Sequence, residues 1–419
     1  MLDNKFLKNQ YISIFGDTKT IKVSFCPYRI CPLGAHSDHQ HGYISGFAIN
    51  YGIYVAYTVN DNALCKCASY NFEGIKSFKV NQALDKENDW ADYIRGVIYA
   101  MSQNGFKLKY GINAYIHGEI PTGGLSSSAA VIISFMKALA FANDIELTNQ
   151  QLIDLSYIAE AEFVGMNIGK MDQSCEVLSE ANKLLVLDTQ SFEYETVAME
   201  KPSKPFDIIV IHTGAKRNLS STLFNVRVDE MRAAAFVTLS YENANKAKFK
   251  NTYLRDVPKE MYLKHREQLP VSLRKRADHY YTEFDRVLKG KELWRKGDIE
   301  GFGKLVFESG KSSIENYESG SDVLIDLYNI ISTTDGVYGG RFLGGGFNGA
   351  CLAIVDSLKL NDAIKHITDK YLAKHNKYAG DFKVYICKLE NGVFFNWYLH
   401  NYLKNYSTLL LKSNGLVLH

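Results

Sequence analysis

The stretch Pro121-Thr-Gly-Gly-Leu-Ser-Ser-Ser-Ala-Ala130 lies between a strand-like run, Asn113 to His117, and an apolar, alanine-rich run, Ala129 to Asn143. Its glycines let backbone N–H groups surround an anion, and the helix that the second run predicts begins with four unpaired N–H groups and a partial positive charge. Three consecutive serines add hydroxyl donors, one of which could ligate Mg²⁺. Because no Gly-Lys-[Ser/Thr] ends the stretch, it is not a Walker loop. By itself it is as consistent with a serine-rich helix cap as with a phosphate-binding loop.

The length and charge of the chain narrow its class. A single hydrophobic core rarely extends over 419 residues, so we expect two domains. The formal net charge is only +2 and no basic stripe is visible, so nucleic acid is not an expected partner. No apolar run approaches the roughly 20 residues that span a bilayer, so we expect no membrane partner either.

Two features predict a cytoplasmic protein. The first residues, MLDNKFLKNQYISIF, lack the cationic segment and apolar core of a signal peptide. The seven cysteines are odd in number and scattered, which is typical of thiols in a reducing compartment and not of a disulfide framework.

The order of strand-like and helical runs predicts an α+β protein in two halves. A boundary near residues 185–205 coincides with the segment Lys201-Pro-Ser-Lys-Pro205, and we place the N-terminal domain at 1–190 and the C-terminal domain at 191–419. Strand-like runs are 21–25, 47–59, 113–117, 183–187, 207–212 and 350–355; helical runs are 129–143, 151–164 and most of 225–327; a glycine-rich turn is expected at 339–349 and a C-terminal helix from Phe394.

Three motifs in this order resemble those of the GHMP kinases, the superfamily of galactokinase and of homoserine, mevalonate and phosphomevalonate kinases. The stretch at 121–130 resembles their phosphate loop, PYRICPLGAHSDHQHG at 27–42 resembles the galactokinase signature, and GRFLGGGFNGAC at 340–351 resembles the third motif. Galactokinase-like segments continue between them, so the resemblance covers about residues 20–355. It implies the two-domain GHMP kinase fold, with an active site in the interdomain cleft that takes ATP, Mg²⁺ and a small-molecule sugar or sugar acid.

The resemblance implies that Asp172 is the general base and that Arg29 lies beside it. A carboxylate within hydrogen-bond reach of the anomeric hydroxyl of a sugar can take its proton as the phosphoryl group is transferred. An adjacent guanidinium keeps that carboxylate ionised and offsets charge on the γ-phosphate. Without the resemblance, a helix cap and a surface salt bridge would be the more common roles for these residues.

The implied metal and nucleotide contacts are spread over three segments. Glu160, twelve residues before Asp172, matches the Mg²⁺-binding glutamate of the family and would act with Ser128. The alternative for Glu160 is a solvated helix face, since Glu162 is equally acidic. Trp90 matches the aromatic residue that stacks on adenine, although a core tryptophan is the more frequent state. The other implied nucleotide contacts are Gly123, Gly124, Leu125, Ser126 and Ser127.

The implied sugar contacts include two departures from the galactokinase pattern. Lys216 stands where galactokinases have an arginine, and it keeps the charge but loses the fork geometry. Phe224 stands where they have a tyrosine that hydrogen-bonds the sugar. The full set of implied sugar contacts is Ala35, His36, Asp38, Gly169, Lys216 and Phe224.

Ala35 is the departure that points to a substrate. Galactokinases carry Gly-Glu-His-Thr-Asp, with the glutamate on the C6 end of galactose, where this chain has Gly34-Ala-His-Ser-Asp38. The pattern Ala-His-x-Asp-His-Gln resembles the galacturonokinase branch. A C6 carboxylate about 4 Å from a glutamate would cost about 4 kcal/mol at an effective dielectric of about 20, and alanine removes that repulsion. We expect a galacturonate 1-kinase; galactose or another galactose-configured or N-acetylated sugar is the alternative, and no cation that would pair with the carboxylate is identifiable.

A metal-dependent hydrolase or isomerase and a non-catalytic sugar sensor remain as alternatives. His36, His39 and His41 have spacings found in zinc sites, although no remote cluster completes a coordination shell. A non-catalytic sugar sensor on the same fold would be expected to lose the loop serines or the base, and both are present here.

Overall fold

The computed structural model describes residues 3–16, 20–121, 123–215, 221–244, 248–346 and 349–395. Helices and strands alternate within these residues, which confirms the predicted α+β class. The strands are β1 Lys22–Ile30, β2 Tyr43–Val59, β3 Leu64–Ser69, β4 Lys76–Lys79, β5 Ile112–Gly118, β6 Leu184–Asp188, β7 Tyr194–Val197, β8 Phe206–His212, β9 Val337–Phe342, β10 Ala350–Asp356, β11 Lys383–Cys387, β12 Leu389–Glu390 and β13 Phe394–Phe395. The helices are α1 Asn4–Phe15, α2 Asp92–Gln103, α3 Ser127–Ala142, α4 Asn149–Ile158, α5 Met171–Leu178, α6 Ser221–Tyr241, α7 Lys259–His265, α8 Val271–Arg295, α9 Ile299–Glu315, α10 Asp322–Ser332 and α11 Leu360–His375.

The first sheet is organised around β2, which is long enough to serve different partners along its length. Its first residues pair antiparallel with β6, from Tyr43 opposite Asp188, and its last residues pair with β5, to Val59 opposite Ile112. β1 lies antiparallel along the other side of β2, and β3 runs parallel to β5. Helix α3 packs against β1 and β2, and eleven of its sixteen residues are buried, as expected for a helix that is apolar all round.

The second sheet has the order β11-β8-β10-β9 and is antiparallel throughout. Helix α9 packs so closely on β9 that a Cβ on Gly339 would lie 2.4 Å from the carbonyl oxygen of Gly303. The chain then returns to the first sheet, where β12 pairs with β2 and β13 with β1. The division at residue 190 stays a prediction; β7, β12 and β13 lie beyond it in sequence but pair within the first sheet.

Three sequence predictions differ from the structure in detail. The helix expected at 151–164 ends at Ile158 and continues as a π-helical turn, Ala159–Val164. The turn expected at 339–349 is shorter, because Gly339 and Gly340 pair with β10 as part of β9. The helix expected from Phe394 is wrong at its start, because Phe394–Phe395 form β13; the residues after 395 lie outside the described residues. Among the described helices, none is long and apolar enough to cross a membrane.

Candidate active site

The phosphate-loop stretch connects β5 to α3, as the sequence predicts. Ser126 precedes the helix with a left-handed backbone, φ 63°, and its side chain makes no capping hydrogen bond within the part of the chain that the structure describes. The first hydrogen bond of the helix runs from the Ala130 N–H to the Ser126 carbonyl at 3.0 Å, so the N–H groups of residues 127–129 precede it. Ser126 therefore does not cap the helix with its side chain, and the first N–H groups of the helix have no acceptor within it.

Glycines allow the turn after β9 to contact this loop. A Cβ on Gly123 would lie 3.0 Å from the Gly349 Cα atom, and a Cβ on Gly124 would lie 3.0 Å from the Leu343 carbonyl oxygen. Both glycines have positive φ, 144° and 83°, which L side chains rarely adopt. Residues of the other two motifs, 27–42 and 340–351, lie beside this loop. All three motifs therefore contribute to the lining of one cleft.

The cleft has a volume of about 360 Å³. Among the residues that line it are Arg29, Ala35, His36, Asp38, Gly123, Gly124, Ser126, Ser127, Ser128, Glu160, Gly169, Asp172 and Phe224, all of which the sequence singled out. Among the described residues, Leu125 and Trp90 were also expected at the site but do not line the cleft. Lys216 lies outside the described residues.

Asp172 and Arg29 form an ion pair at the wall of the cleft, in which Arg29 is buried and Asp172 is partly exposed. The Arg29 Nε and Nη2 atoms each lie 2.8 Å from the Asp172 Oδ1 atom, and Arg29 Nη1 donates to the Gly124 carbonyl at 2.7 Å. Arg29 is 2% exposed, so the surface salt bridge considered as the alternative is wrong. Burial disfavours the charged guanidinium, but the Asp172 carboxylate outweighs it and raises the pKa of Arg29. Asp172 lies in the first turn of α5, where the helix dipole favours a carboxylate.

Asp38 lies close to the same carboxylate. Burial and the negative charge of Asp172 raise the pKa of Asp38 to about 6, while backbone N–H groups and Arg29 act in the opposite direction. A Cβ at position 169 would lie 2.3 Å from the Asp38 Oδ2 atom, so only glycine allows this approach.

Each of the three histidines in residues 36–41 packs against a different aromatic ring. His36 stacks on Tyr317 with ring centroids 3.9 Å apart, His39 meets Phe224 edge-on at 6.0 Å, and His41 stacks on Tyr253. Burial and the neighbouring His279 lower the pKa of His36, so it is neutral at physiological pH. Across the described residues, no group of three or more His, Cys, Asp and Glu side chains is arranged to hold a metal ion, which gives the zinc alternative no support.

Glu160 and Glu162, which the sequence could not distinguish, have different environments. Glu160 is 4% exposed, lines the same cleft as Ser128 and accepts a hydrogen bond from Gln173 Nε2 at 2.9 Å. Glu162 is exposed. The solvated-face alternative therefore describes Glu162 and not Glu160.

Trp90 is half-buried at the edge of the core, outside the cleft lining. Its ring is nearly parallel to that of Phe72, at 9° and 6.1 Å between centroids. The buried indole Nε1 atom has no hydrogen-bond partner among the described residues. Tyr93, three residues later in the first turn of α2, lines the cleft instead.

Sequence reasoning missed a buried charge cluster behind Ala35. Glu283 on α8 accepts hydrogen bonds from the backbone N–H groups of Gly34 at 2.7 Å and Ala35 at 3.2 Å. Its carboxylate pairs with Arg286 at 2.7 Å and with Arg341 at 3.7 Å, and Arg341 lines the cleft. Arg341 was visible within the third motif, but no sequence signal linked it to α8.

Comparison with known proteins supports the resemblance. The family model for the GHMP kinases N terminal domain matches residues 92–180. A galacturonokinase of Arabidopsis thaliana is 36% identical, over 87% of this chain and 90% of that protein. A galactokinase of Fusobacterium nucleatum is 29% identical, over 94% of this chain and 99% of that protein.

Solved structures agree with the fold. The crystal structure of Lactococcus lactis galactokinase complexed with galactose superposes with a TM-score of 0.85 at 26% identity, over 93% of this chain and 99% of that one. Methanococcus jannaschii mevalonate kinase, at 14% identity and a TM-score of 0.60, shares the fold. Because the match to the galacturonokinase extends over 90% of that protein, the chain belongs to the galactokinase family of the GHMP kinases, which are ATP-dependent phosphotransferases.

Proposed function

We propose that this protein transfers the γ-phosphoryl group of ATP to the anomeric hydroxyl of galacturonate. The observation that carries the proposal is Ala35, a small, uncharged residue in the wall of the cleft where galactokinases have a glutamate. A sugar with a carboxylate at C6 meets no like charge at that position. The 36% identity to a protein named galacturonokinase supports the same substrate.

In the proposed reaction, Asp172 accepts the proton of the anomeric hydroxyl. The anomeric oxygen of the sugar attacks the γ-phosphorus, and ADP leaves. The hydrogen bonds from Arg29 support this role, because they join the carboxylate to the carbonyl of Gly124 in the phosphate loop. The base and the phosphates would then be fixed in position relative to each other, which is the main catalytic requirement of a phosphoryl transfer. The open N–H groups at the start of α3 would receive the phosphate oxygens.

Mg²⁺ is the proposed metal, held by Ser128 and Glu160. The residues fit a hard cation, since both offer oxygen ligands and Glu160 is a buried carboxylate on the cleft wall. When bound, the ion would neutralise charge on the β- and γ-phosphates. Gln173 would keep the Glu160 carboxylate in position through its 2.9 Å hydrogen bond.

Other assignments remain proposals on the strength of the family resemblance. His36, Asp38, Gly169 and Phe224 would contact the sugar. The remaining proposed contacts are Lys216 for the sugar and Leu125 and Trp90 for the nucleotide. The division into domains at 1–190 and 191–419 is also proposed, from the change of sequence pattern near residues 185–205, and a cytoplasmic location is proposed from the scattered cysteines.

A comparison of position-35 variants tests the substrate. We expect the wild type to turn over galacturonate in preference to galactose, with NMR placing the new phosphate on C1. Ala35→Glu should lower kcat/KM for galacturonate about a thousandfold, because it restores like-charge repulsion. Ala35→Gln, which has the same size without the charge, should lower it much less. The proposal fails if the wild type prefers galactose or if the two variants behave alike.

The second candidate is galactose itself. The observation that favours it is the TM-score of 0.85 to a galactokinase solved with galactose. The same comparison decides between the two sugars, and phosphate on any carbon but C1 would overturn the role proposed for Asp172.

A further inference from the structure

We infer that Arg341 binds the C6 carboxylate of the sugar substrate, in the space that Ala35 leaves without a negative charge. The inference rests on the proposed function, because it names the group that receives the carboxylate. Arg341 is the last but one residue of β9, is 1% exposed and lines the same cleft as Ala35, Asp38 and Asp172.

The charge balance around Arg341 is the first argument. Glu283 is the one carboxylate within ion-pair distance of both Arg341 and Arg286 among the described residues, so two guanidinium groups share a single negative charge. Arg286 takes the closer contact, 2.7 Å against 3.7 Å for Arg341. Despite its burial, Glu283 remains ionised, because these guanidiniums lower its pKa to about 2. The cluster therefore carries a net positive charge, and buried charge without a partner is costly.

The neighbouring histidines add no charge. Burial lowers the pKa of His279 to about 4 and also lowers the pKa of His36, so both rings are neutral near pH 7. The Cys31 thiol, which also lines the cleft, stays protonated because burial raises its pKa to about 12. A carboxylate of the ligand, bound beside Arg341, would neutralise the excess charge of the cluster.

The hydrogen bonds of Arg341 are the second argument. Its Nε donates to the Phe342 carbonyl, Nη1 donates to Ser309 Oγ and Nη2 donates to Ser313 Oγ. These contacts use three of the five N–H groups of a guanidinium, which leaves one on each terminal nitrogen. Two remaining donors are enough for a two-point contact with a carboxylate.

The position of Arg341 relative to Ala35 is the third argument. The Glu283 oxygen that faces Arg341 also accepts hydrogen bonds from the N–H groups of Gly34 and Ala35, so the guanidinium and the backbone of residue 35 approach the same carboxylate oxygen. Position 35 is where the C6 end of the sugar is expected. Alanine there leaves the space beside Arg341 open to the carboxylate of the ligand.

The test measures binding of two ligands of the same shape, galacturonate and its uncharged amide, galacturonamide, by titration calorimetry. Arg341→Met should raise the Kd of galacturonate roughly a hundredfold and that of the amide by less than about threefold, because only the acid loses a charged partner. Arg276→Met is the matched control: Arg276 is 0% exposed and pairs with Glu230 and Glu318 in a separate cluster. It should lower stability and leave the ratio of the two Kd values unchanged.

Equal losses for the two ligands in Arg341→Met would overturn the inference and leave the proposed function standing. If Arg341→Met does not fold, Arg341→Lys replaces it; it retains the charge without the fork, and we expect the acid to lose about tenfold more affinity than the amide. Equal losses in that variant would overturn the inference equally. Turnover of galacturonate by the wild type is measured alongside, and its absence would overturn the proposed function and, with it, the ligand named here.

Discussion

Arg29 links Asp172 to the phosphate loop: two of its nitrogens lie 2.8 Å from the Asp172 Oδ1 atom, and its third donates to the Gly124 carbonyl at 2.7 Å. The arginine is buried, so this geometry is held by the protein interior and not by solvent. The position of the Asp172 carboxylate relative to Gly124 therefore depends on one side chain.

Replacing Arg29 by lysine keeps the charge and removes the fork that spans the two partners. We expect Arg29→Lys to lower kcat about a hundredfold, with a much smaller change in the KM of the sugar. Steady-state kinetics with ATP saturating measures both quantities.

The control for this prediction is a double-mutant cycle with Asp172→Asn. Residues that act as a unit give non-additive losses, so the double variant should be little worse than Asp172→Asn alone. Additive losses would show that Arg29 acts independently of the carboxylate.

Glu160→Gln should raise the Mg²⁺ concentration needed for half-maximal activity about tenfold or more, because a carboxylate ligand is replaced by an uncharged amide. Activity is titrated against Mg²⁺ at fixed ATP. Glu162→Gln is the matched control, since Glu162 is two residues away and exposed, and it should leave the titration unchanged. A shift of the same size in both variants would argue against a ligand role for Glu160.

Gly169→Ala should raise the KM of the sugar and leave the KM of ATP nearly unchanged. The new Cβ would lie 2.3 Å from the Asp38 carboxylate, which must then move. Gly380→Ala provides the comparison, because a Cβ there meets no described atom within 4 Å. Unaltered sugar kinetics in Gly169→Ala would mean that the position of Asp38 is unimportant for substrate binding.

The raised pKa of Asp38 predicts a pH-dependent stability. Below about pH 4 the carboxyl is protonated in both the folded and unfolded chains; between about pH 4 and 6 only the folded chain keeps the proton. Asp38 therefore lowers the free energy of unfolding as pH rises through this window, and the full cost is present above about pH 6.

Asp38→Asn does not titrate, so its stability relative to the wild type should increase between about pH 4 and 6 and level off above. Urea unfolding of both proteins over this pH range measures the difference. A difference that is constant, or that shrinks as pH rises, contradicts the prediction.

The phosphate loop and its neighbours could be predicted from sequence because their determinants are local. Glycines, three serines and an apolar helix follow one another within residues 121–143, and the structure confirms the strand before them and the helix after. The long apolar helix and strands β1, β2, β5, β6, β8 and β10 were also predictable, because burial against a sheet requires residue types that can be recognised over about five to fifteen positions. The shorter or less apolar strands β3, β4, β7, β9, β11, β12 and β13 were not predicted.

Local patterns misled where tertiary pairing decides the conformation. Gly339 and Gly340 read as a turn, yet they extend β9 because β10 supplies backbone partners and α9 approaches too closely for a side chain. The pattern at Phe394 and Phe395 favoured the start of a helix, but both residues pair antiparallel with β1 and form β13.

What the sequence determined by itself was the order of strand, glycine- and serine-rich loop and helix, the family motifs and the absence of a negative charge at position 35. Only the tertiary structure distinguished Glu160 from Glu162, buried Arg29 against Asp172, and brought Arg341 to the cleft that Ala35 leaves open. The reason is distance along the chain: Gly34 and Glu283, which organise that end of the cleft, are 249 residues apart. Electrostatic interactions depend on the distance between charges and on their burial, and neither quantity can be obtained from a local sequence pattern.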